Sequence, residues 1–187
     1  TSTFSAGVDL FRVDVRDILA TPSAQEVVSR FRSGDPAYAG LVDLSGKEID
    51  LIRTILANTG SAQVSGADIF ASFRQNLDFG RLDVNLNGTY MNKFNQTSPG
   101  GQISRKVGTL IDPNGDPVLG ADSGGVILRW KHSLSASLTS GPWTGTLVQN
   151  YTSGYRAGDR LDGEPNFIGS QSLFDANVQF KGIKDLT

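Results

Sequence analysis

Residues 125–147 read GVILRWKHSLSASLTSGPWTGTL, and this stretch decides the fold of the chain. In residues 126–138 nearly every even position is apolar, whereas the odd positions after Ile127 are polar. Alternation with a period of two residues is typical of a β-strand with one apolar and one polar face. A break at residues 139–142 precedes a second alternating stretch that starts at Trp143. The sequence therefore predicts a tight hairpin between two long strands.

The length of the first strand favours a membrane barrel. A strand of about thirteen residues, at about 3.3 Å per residue and a tilt of about 40°, crosses about 33 Å, more than the roughly 25 Å apolar band of an outer-membrane barrel. Its polar face carries Arg129, Lys131 and three serines. These side chains suit a water-filled lumen better than the interior of a β-sandwich. The apolar face would then contact lipid.

Composition excludes several classes of protein but does not choose between a soluble sheet and a barrel, because half of a barrel's residues face water. The chain has 187 residues, a net charge of -2, 22 glycines, 7 prolines and one Met. This composition favours an all-β chain with many turns. The chain has no Cys, which excludes disulfides, thiolate zinc sites and a Cys nucleophile. The sequence contains no run of 18 apolar residues and predicts no transmembrane helix.

Six alternating stretches predict six strands of an antiparallel, up-and-down transmembrane β-barrel. Their connections alternate long, short, long, short, long, as in outer-membrane barrels, which keep tight turns on the periplasmic side and long loops outside. A short helix over residues 21–31, with Ser23 as its cap, is predicted within the first long connection. The predicted strands cover residues 5–17, 62–77, 80–93, 125–139, 143–155 and 172–181.

Several short motifs, in their order and spacing, resemble the late barrel region of TonB-dependent outer-membrane receptors. The resemblance covers most of residues 1–187. In that family the segment after Asn-x-Gly usually reads Ser-x-Gly-Val-Glu or Gly-Val-Asp, and residues 65–68 depart mildly from it with Ser-Gly-Ala-Asp. The motifs are DLFRVDVRD at 9–17, GDP at 34–36, NTG at 58–60, SGAD at 65–68, GTY at 88–90, RWKH at 129–132 and GPW at 141–143.

The resemblance implies a transporter of the bacterial outer membrane that performs no chemistry on its substrate. Such a receptor takes up a scarce nutrient, such as a siderophore complex, a saccharide or a peptide, and is energised by the TonB–ExbB–ExbD machinery through a plug domain. The family's plug domain and aromatic-ended terminal strand are not found in residues 1–187. Because eight strands are the usual minimum for a closed membrane barrel, we expect six strands to be part of a barrel of about 22 strands.

Strand phase and position mark two groups of candidate side chains. Charged residues on the polar faces are expected to line the lumen, mainly as salt-bridge ladders, and aromatic residues near strand ends are expected at the lipid interface. The lumen candidates are Arg12, Asp14, Arg16, Asp68, Arg74, Arg129 and Lys131. The interface candidates are Tyr90, Trp130, Trp143, Tyr151 and Tyr155. The long connections at residues 19–60, 94–124 and 156–171 are expected to capture the ligand.

The sequence predicts no catalytic residue, no cofactor and no metal site. His132 is the single histidine, and it lies in phase with an apolar strand face, which favours an interface or structural position. Residues 112–117 mimic the first half of a calcium loop, but Pro117 stands where Gly is needed and no Glu follows at position twelve. The glycine pairs at 100–101 and 124–125 lack the context of a phosphate loop. We predict turns at all three places.

Two alternatives remain open at the level of sequence. One is a passive porin-like or adhesion barrel, which a plug domain and a TonB box upstream would exclude. The other is a soluble β-sandwich binding module, which extraction without detergent would favour. The partners expected besides the TonB machinery are outer-membrane lipid, a small nutrient of unknown identity, and a surface lipoprotein or other subunit. Nucleic acid is not expected.

Overall fold

The computed structural model describes residues 2–22, 24–97, 101, 103–111, 126–160 and 163–182. Within these ranges the chain consists mostly of antiparallel strands. The long strands are β1 (Ser2–Ala20), β4 (Ala57–Leu77), β5 (Gly80–Thr97), β7 (Trp130–Ser140), β8 (Trp143–Thr152) and β11 (Gln171–Phe180). The short ones are β2 (Val42–Ser45), β3 (Glu48–Ile52), β6 (Ile103–Arg105), β9 (Tyr155–Asp159) and β10 (Pro165–Ile168). An α-helix, α1 (Ala24–Arg32), and a 3-10 helix (Pro36–Leu41) lie between β1 and β2.

The six long strands form one open sheet in the order β1-β4-β5-β7-β8-β11. Every neighbouring pair of strands is antiparallel. β6 pairs with the end of β5 that lies away from the tight turns, which we call the upper end. The pairs β2–β3 and β9–β10 are separate hairpins within the long connections. This arrangement confirms the predicted all-β, up-and-down fold class, and the unclosed sheet agrees with the expectation of a barrel fragment.

The predicted strands are all present, but several of their ends differ. The largest errors are of five residues: β4 begins at Ala57 and not at residue 62, and β7 begins at Trp130 and not at residue 125. The Arg129 carbonyl still accepts a hydrogen bond from the Met91 amide of β5 at 2.9 Å. Ile127 instead forms a parallel bridge with Val107 in the connection after β6. The predicted break at residues 139–142 is a two-residue turn, because Ser140 lies opposite Trp143. Gly141 has a φ of 55° there, a conformation that glycine adopts at no steric cost.

The strand register gives the sheet two chemically different faces, which we call the apolar face and the polar face. Residues directly opposite one another on neighbouring strands lie on the same face. One row of the apolar face is Ala6, Ala71, Leu86, Leu134, Gln149 and Phe174. One row of the polar face is Asp9, Asp68, Thr89, Lys131, Thr152 and Gln171. Side chains of the apolar face are exposed among the described residues, since Phe4 is 70% and Val178 is 71% exposed.

A compact apolar core is found in residues 24–53, which we call the loop module. Val27 is fully buried there and packs with Tyr38 and Val42. Asp35 caps the 3-10 helix, because its carboxylate accepts a hydrogen bond from the Ala37 amide at 3.1 Å. Helix α1 agrees with the predicted helix to within three residues, whereas the 3-10 helix and the β2–β3 hairpin were not predicted. Ser23, its predicted cap, lies outside the described residues.

Candidate functional site: the two faces of the sheet

The lower part of the polar face, near the tight turns, holds a charged cluster that spans two strands. The Asp83 carboxylate accepts hydrogen bonds from Arg74 Nε at 2.5 Å and from Arg81 Nε at 2.8 Å. The Asp83 side chain is only 18% exposed, whereas both arginines are more than half exposed. Arg74, one of the lumen candidates, is therefore paired across two strands with Asp83. That such pairs line a lumen stays a prediction.

Further hydrogen bonds between side chains of the polar face join β4 to β5 and β7 to β8. Thr89 donates to Asp68 Oδ1 at 2.7 Å between β5 and β4. Two pairs of hydroxyl groups join β7 to β8, at 2.9 Å for Ser137 and Thr146 and at 3.2 Å for Thr139 and Thr144. These bonds give a hydrophilic wall whose polar groups are held by neighbouring strands.

The highest row of the polar face that crosses all six long strands, which we call the uppermost row, contains charges that remain available for external contacts. Asp9 and Lys131 belong to this row, and neither forms an ion pair with a described residue. Lys131 lies between Thr89 and Thr152 on the neighbouring strands. This row can bind charged or hydroxylated groups of a molecule that lies against the polar face.

The predicted lumen residues do not all lie on one face. Asp68, Arg74 and Lys131 share the polar face. Arg12 and Asp14 lie opposite Ser65 and Gln63, on the continuation of the apolar face, so the two groups cannot both face a lumen. The prediction failed to separate them because the apolar phase of β1 changes from even positions below residue 10 to odd positions from Phe11. Arg16 lies in an irregularity of the β1–β4 register, and Arg129 precedes the first residue of β7.

At the upper end of the apolar face, three of the predicted interface aromatics form a cluster with His132. Trp130 Nε1 donates a hydrogen bond to His132 Nδ1 at 2.8 Å. The His132 ring stacks on Tyr151 with a centroid distance of 5.1 Å. Tyr90 lies directly opposite Trp130 on β5. We call these four residues the aromatic cluster.

Gly88 makes room for the aromatic cluster. It lies opposite His132, and a Cβ atom at this position would overlap the ring of Trp130. A larger residue here would therefore displace the indole from its hydrogen bond with His132. His132 is surrounded by aromatic rings on the apolar face, which is consistent with the structural position expected from the sequence.

A second group of aromatic side chains lies at the lower end of the apolar face. Trp143 contacts Phe180 with a centroid distance of 4.5 Å. Ser140, which lies opposite Trp143, is ten residues from Trp130 along β7. Ten residues at about 3.3 Å, tilted by about 40°, separate the two aromatic groups by about 25 Å, the height of the apolar band of outer-membrane barrels. The fifth interface candidate, Tyr155, lies on β9, outside the main sheet.

The long connections contain more regular structure than the sequence indicated. The connection expected over residues 156–171 contains most of the β9–β10 hairpin. In the connection after β6, Lys106 donates a hydrogen bond to Gln96 Oε1 at 2.7 Å. Burial lowers the pKa of Lys106 there. The predicted turn at residues 112–117 lies outside the described residues.

The described part of the chain shows no metal centre, since no three of its His, Cys, Asp or Glu side chains are grouped so that they could hold an ion. Among the same residues, no helix has the length and apolar character needed to cross a membrane.

The comparison with protein families agrees with these two faces. The family model described as TonB dependent receptor-like, beta-barrel matches residues 1–187. The chain belongs to this family of TonB-dependent receptor β-barrels. Its members are receptors and transporters, normally of the bacterial outer membrane, that interact with TonB and a plug domain. A search of curated proteins found no match, and neither did a search of solved structures.

Proposed function

We propose that this chain forms part of the wall of an outer-membrane transporter that takes up a scarce nutrient with energy supplied through TonB. The observation that carries the proposal is the sheet itself. One face is apolar over a height of about 25 Å between two aromatic groups, as a lipid-exposed band requires. The opposite face is hydrophilic and joined by hydrogen bonds, as the wall of a lumen requires.

In this proposal residues 1–187 supply part of a barrel of about 22 strands. Strands β1 and β11 are at the two edges of the described sheet. In lipid, each unpaired amide or carbonyl group of such an edge costs about 1–3 kcal/mol or more. Further strands must therefore pair with both edges. The energised step would act on a plug domain inside the complete barrel.

The polar face would contact the plug and the passing nutrient, whereas the long connections would capture the nutrient outside. Lys131 and Asp9 in the uppermost row would make the charged contacts, because no described residue pairs with them. Asp83 is already bound by two arginines and would mainly stabilise the wall. A siderophore complex, a saccharide and a peptide all carry groups that such a surface can bind.

The assignment of the faces can be tested with single cysteines, because this chain has no Cys. In the full-length protein, made free of other cysteines, Asn85→Cys and Ser133→Cys are compared with Leu86→Cys and Leu134→Cys. We expect a water-soluble maleimide to modify the first pair in the purified receptor in lipid vesicles and to leave the second pair unmodified. Equal modification of both pairs would contradict a lipid-exposed apolar face and would favour a soluble sheet.

Energised uptake can be tested by comparing a strain that lacks the full-length receptor with a strain that lacks TonB. Both are grown with iron, saccharide or peptide in turn as the limiting nutrient. We expect a growth defect of the receptor deletion in one medium, the same defect in the TonB deletion, and no further loss in the double deletion. A growth defect that appears in the receptor deletion but not in the TonB deletion would show a passive barrel.

A further inference from the structure

A basic pocket lies beside the upper end of β5, where β6, β9 and the residues before β7 come together. It has a volume of about 480 Å³, and four of its lining residues are cationic. None of the described residues that line it is acidic. The cations are Lys93, Arg105, Arg129 and Arg156. The side-chain amides of Asn92 and Asn95 add further hydrogen-bond donors to its wall.

Most of this positive charge is not neutralised within the described residues. Lys93, Arg105 and Arg129 form no ion pair there. Arg156 binds Asp159 through Nη2 at 2.7 Å, but its Nε is buried and has no hydrogen-bond partner among the described residues. Four cations that share one carboxylate give the pocket a net positive charge, which attracts anions.

The register places part of this pocket on the continuation of the apolar face. Lys93 lies opposite Ser65, two residues along β4 from Ala67, which lies opposite Tyr90. Arg105 lies opposite Asn95 on the same face. Arg12 also lies opposite Ser65, and its guanidinium is bound to Asp14 at 2.8 Å. The pocket therefore begins directly above the aromatic cluster, on the side of the sheet that our proposed function assigns to lipid.

We propose that this basic pocket binds the phosphorylated headgroup of an anionic lipid in the outer leaflet. The inference rests on the membrane orientation in the proposed function. Aromatic side chains mark the boundary between the acyl chains and the headgroups, and basic groups just beyond that boundary bind anionic headgroups. The phosphate oxygens would contact Lys93 and Arg105. The acyl chains would lie along the apolar face beside Tyr90 and Trp130.

The test uses the full-length receptor in an uncharged detergent, with lipid A as the probe and native mass spectrometry as the measurement of bound lipid. Dephosphorylated lipid A with the same acyl chains tests whether phosphate is required. The variant is the double substitution Lys93→Gln and Arg105→Gln. Lys47→Gln is the matched control, since Lys47 is an exposed cation in the β2–β3 turn. We expect the double variant to weaken binding of lipid A by about tenfold or more, and Lys47→Gln to leave it unchanged.

Three other outcomes would overturn the inference. One is equal binding of phosphorylated and dephosphorylated lipid A. Another is the same affinity in the double variant and in Lys47→Gln. The third is saturable binding of inorganic phosphate that needs Lys93 and Arg105 and displaces lipid A, which would show a site for a soluble anion. A charge-preserving variant, Lys93→Arg with Arg105→Lys, should retain binding and so separates loss of charge from misfolding.

The failure of this inference can be distinguished from the failure of the proposed function. A receptor that remains in the outer-membrane fraction and keeps its TonB-dependent growth phenotype, but binds no lipid A, would overturn the lipid site alone. A receptor that passes the lipid test but supports growth without TonB would contradict only the energised uptake.

Discussion

The loop module and the main sheet place their apolar side chains in opposite ways. In the module, Val27, Tyr38 and Val42 are buried against one another, and burial raises the pKa of the Tyr38 hydroxyl. In the sheet, Leu10 is 83% and Phe174 is 64% exposed, although both belong to well-paired strands. The module is built to fold in water, whereas the apolar face needs another apolar phase to cover it.

This difference explains why composition did not indicate the class of the protein. A β-strand between an apolar and an aqueous environment needs an apolar face and a polar face. The hydrophobic effect requires that the apolar face be covered, but it does not specify whether protein or lipid covers it. In the module the chain itself covers the apolar side. In the sheet, lipid covers it in our proposal, and the hydrogen-bonded polar side becomes the inner wall. The predictions below test this contrast in order of decreasing effect.

Introducing a charge near the middle of the apolar face should have the largest effect. Leu86 lies between Ala71 and Leu134 on that face. We expect Leu86→Arg to lower the free energy of unfolding of the receptor in lipid by about 2–4 kcal/mol. The neighbouring substitution Asn85→Arg, on the polar face, should change it by about 0–1 kcal/mol. Denaturant unfolding of both variants in vesicles measures the difference, and equal effects would refute the assignment of the faces.

Truncation of the module's core should come next. Val27 is fully buried, and Val27→Ala leaves a space that no solvent molecule fills, so we expect the module to lose about 2 kcal/mol. Hydrogen exchange of the amides in residues 24–53 should rise while that of β7 stays constant. Val8→Ala on the apolar face is the control, because Val8 is 58% exposed and lipid can fill the vacated space. Faster exchange throughout β7 in the Val27 variant would show that the module supports the sheet.

Crowding the aromatic cluster should have a smaller effect. Gly88→Ala would push the Trp130 ring away and break its hydrogen bond with His132, at a cost of about 1 kcal/mol. Gly145→Ala lies on the same face in open space and should be neutral. Tryptophan fluorescence and denaturant unfolding compare the two variants. A shift of the emission in Gly145→Ala but not in Gly88→Ala would contradict the described packing.

The smallest effect should be the pH dependence of the module's hairpin. Arg53 binds Asp43 on the exposed surface and holds the pKa of this carboxyl below its usual range. The pair therefore contributes fully above about pH 3.9, the ordinary pKa of Asp, and is lost as the pH falls through the lowered pKa. Amide exchange in β2 and β3 should accelerate upon acidification. In Asp43→Asn the acceleration of exchange by acid should disappear. If it persisted, another titratable group would be its cause.

The predictions from the sequence succeeded where a strand alternates without interruption. The phase of β7 correctly gave its two faces, and all four interface aromatics of the main sheet lie on the apolar face. The prediction was less successful for β1, where the apolar phase changes at Phe11, and it grouped Arg12 and Asp14 with Asp68. The lumen and lipid roles themselves stay predictions. The sequence shows an acidic residue, Asp14, two positions after Arg12. Which face of the sheet the two side chains occupy, however, depends on how β1 pairs with its partner strand.

The basic pocket was missed because its members are far apart in the sequence. Lys93, Arg105, Arg129 and Arg156 stand in four different segments, and none belongs to a cationic run. Lys93 and Arg105 come close together because β5 pairs with β6. Arg156 comes close through its bridge with Thr109. The only signal in the sequence was the repeated appearance of Lys and Arg at the loop side of the predicted strands.

By itself, the sequence determined the strands, their antiparallel order and the tight turns at residues 78–79 and 141–142, because side-chain alternation and turn residues are local properties. It also determined the apolar face of each strand that alternates without interruption. Only the tertiary structure decided which residues share a face across six strands, since register is a relation between segments. The same reason applies to the loop module's core, the aromatic cluster over Gly88 and the basic pocket, whose contacts join residues that no local pattern relates.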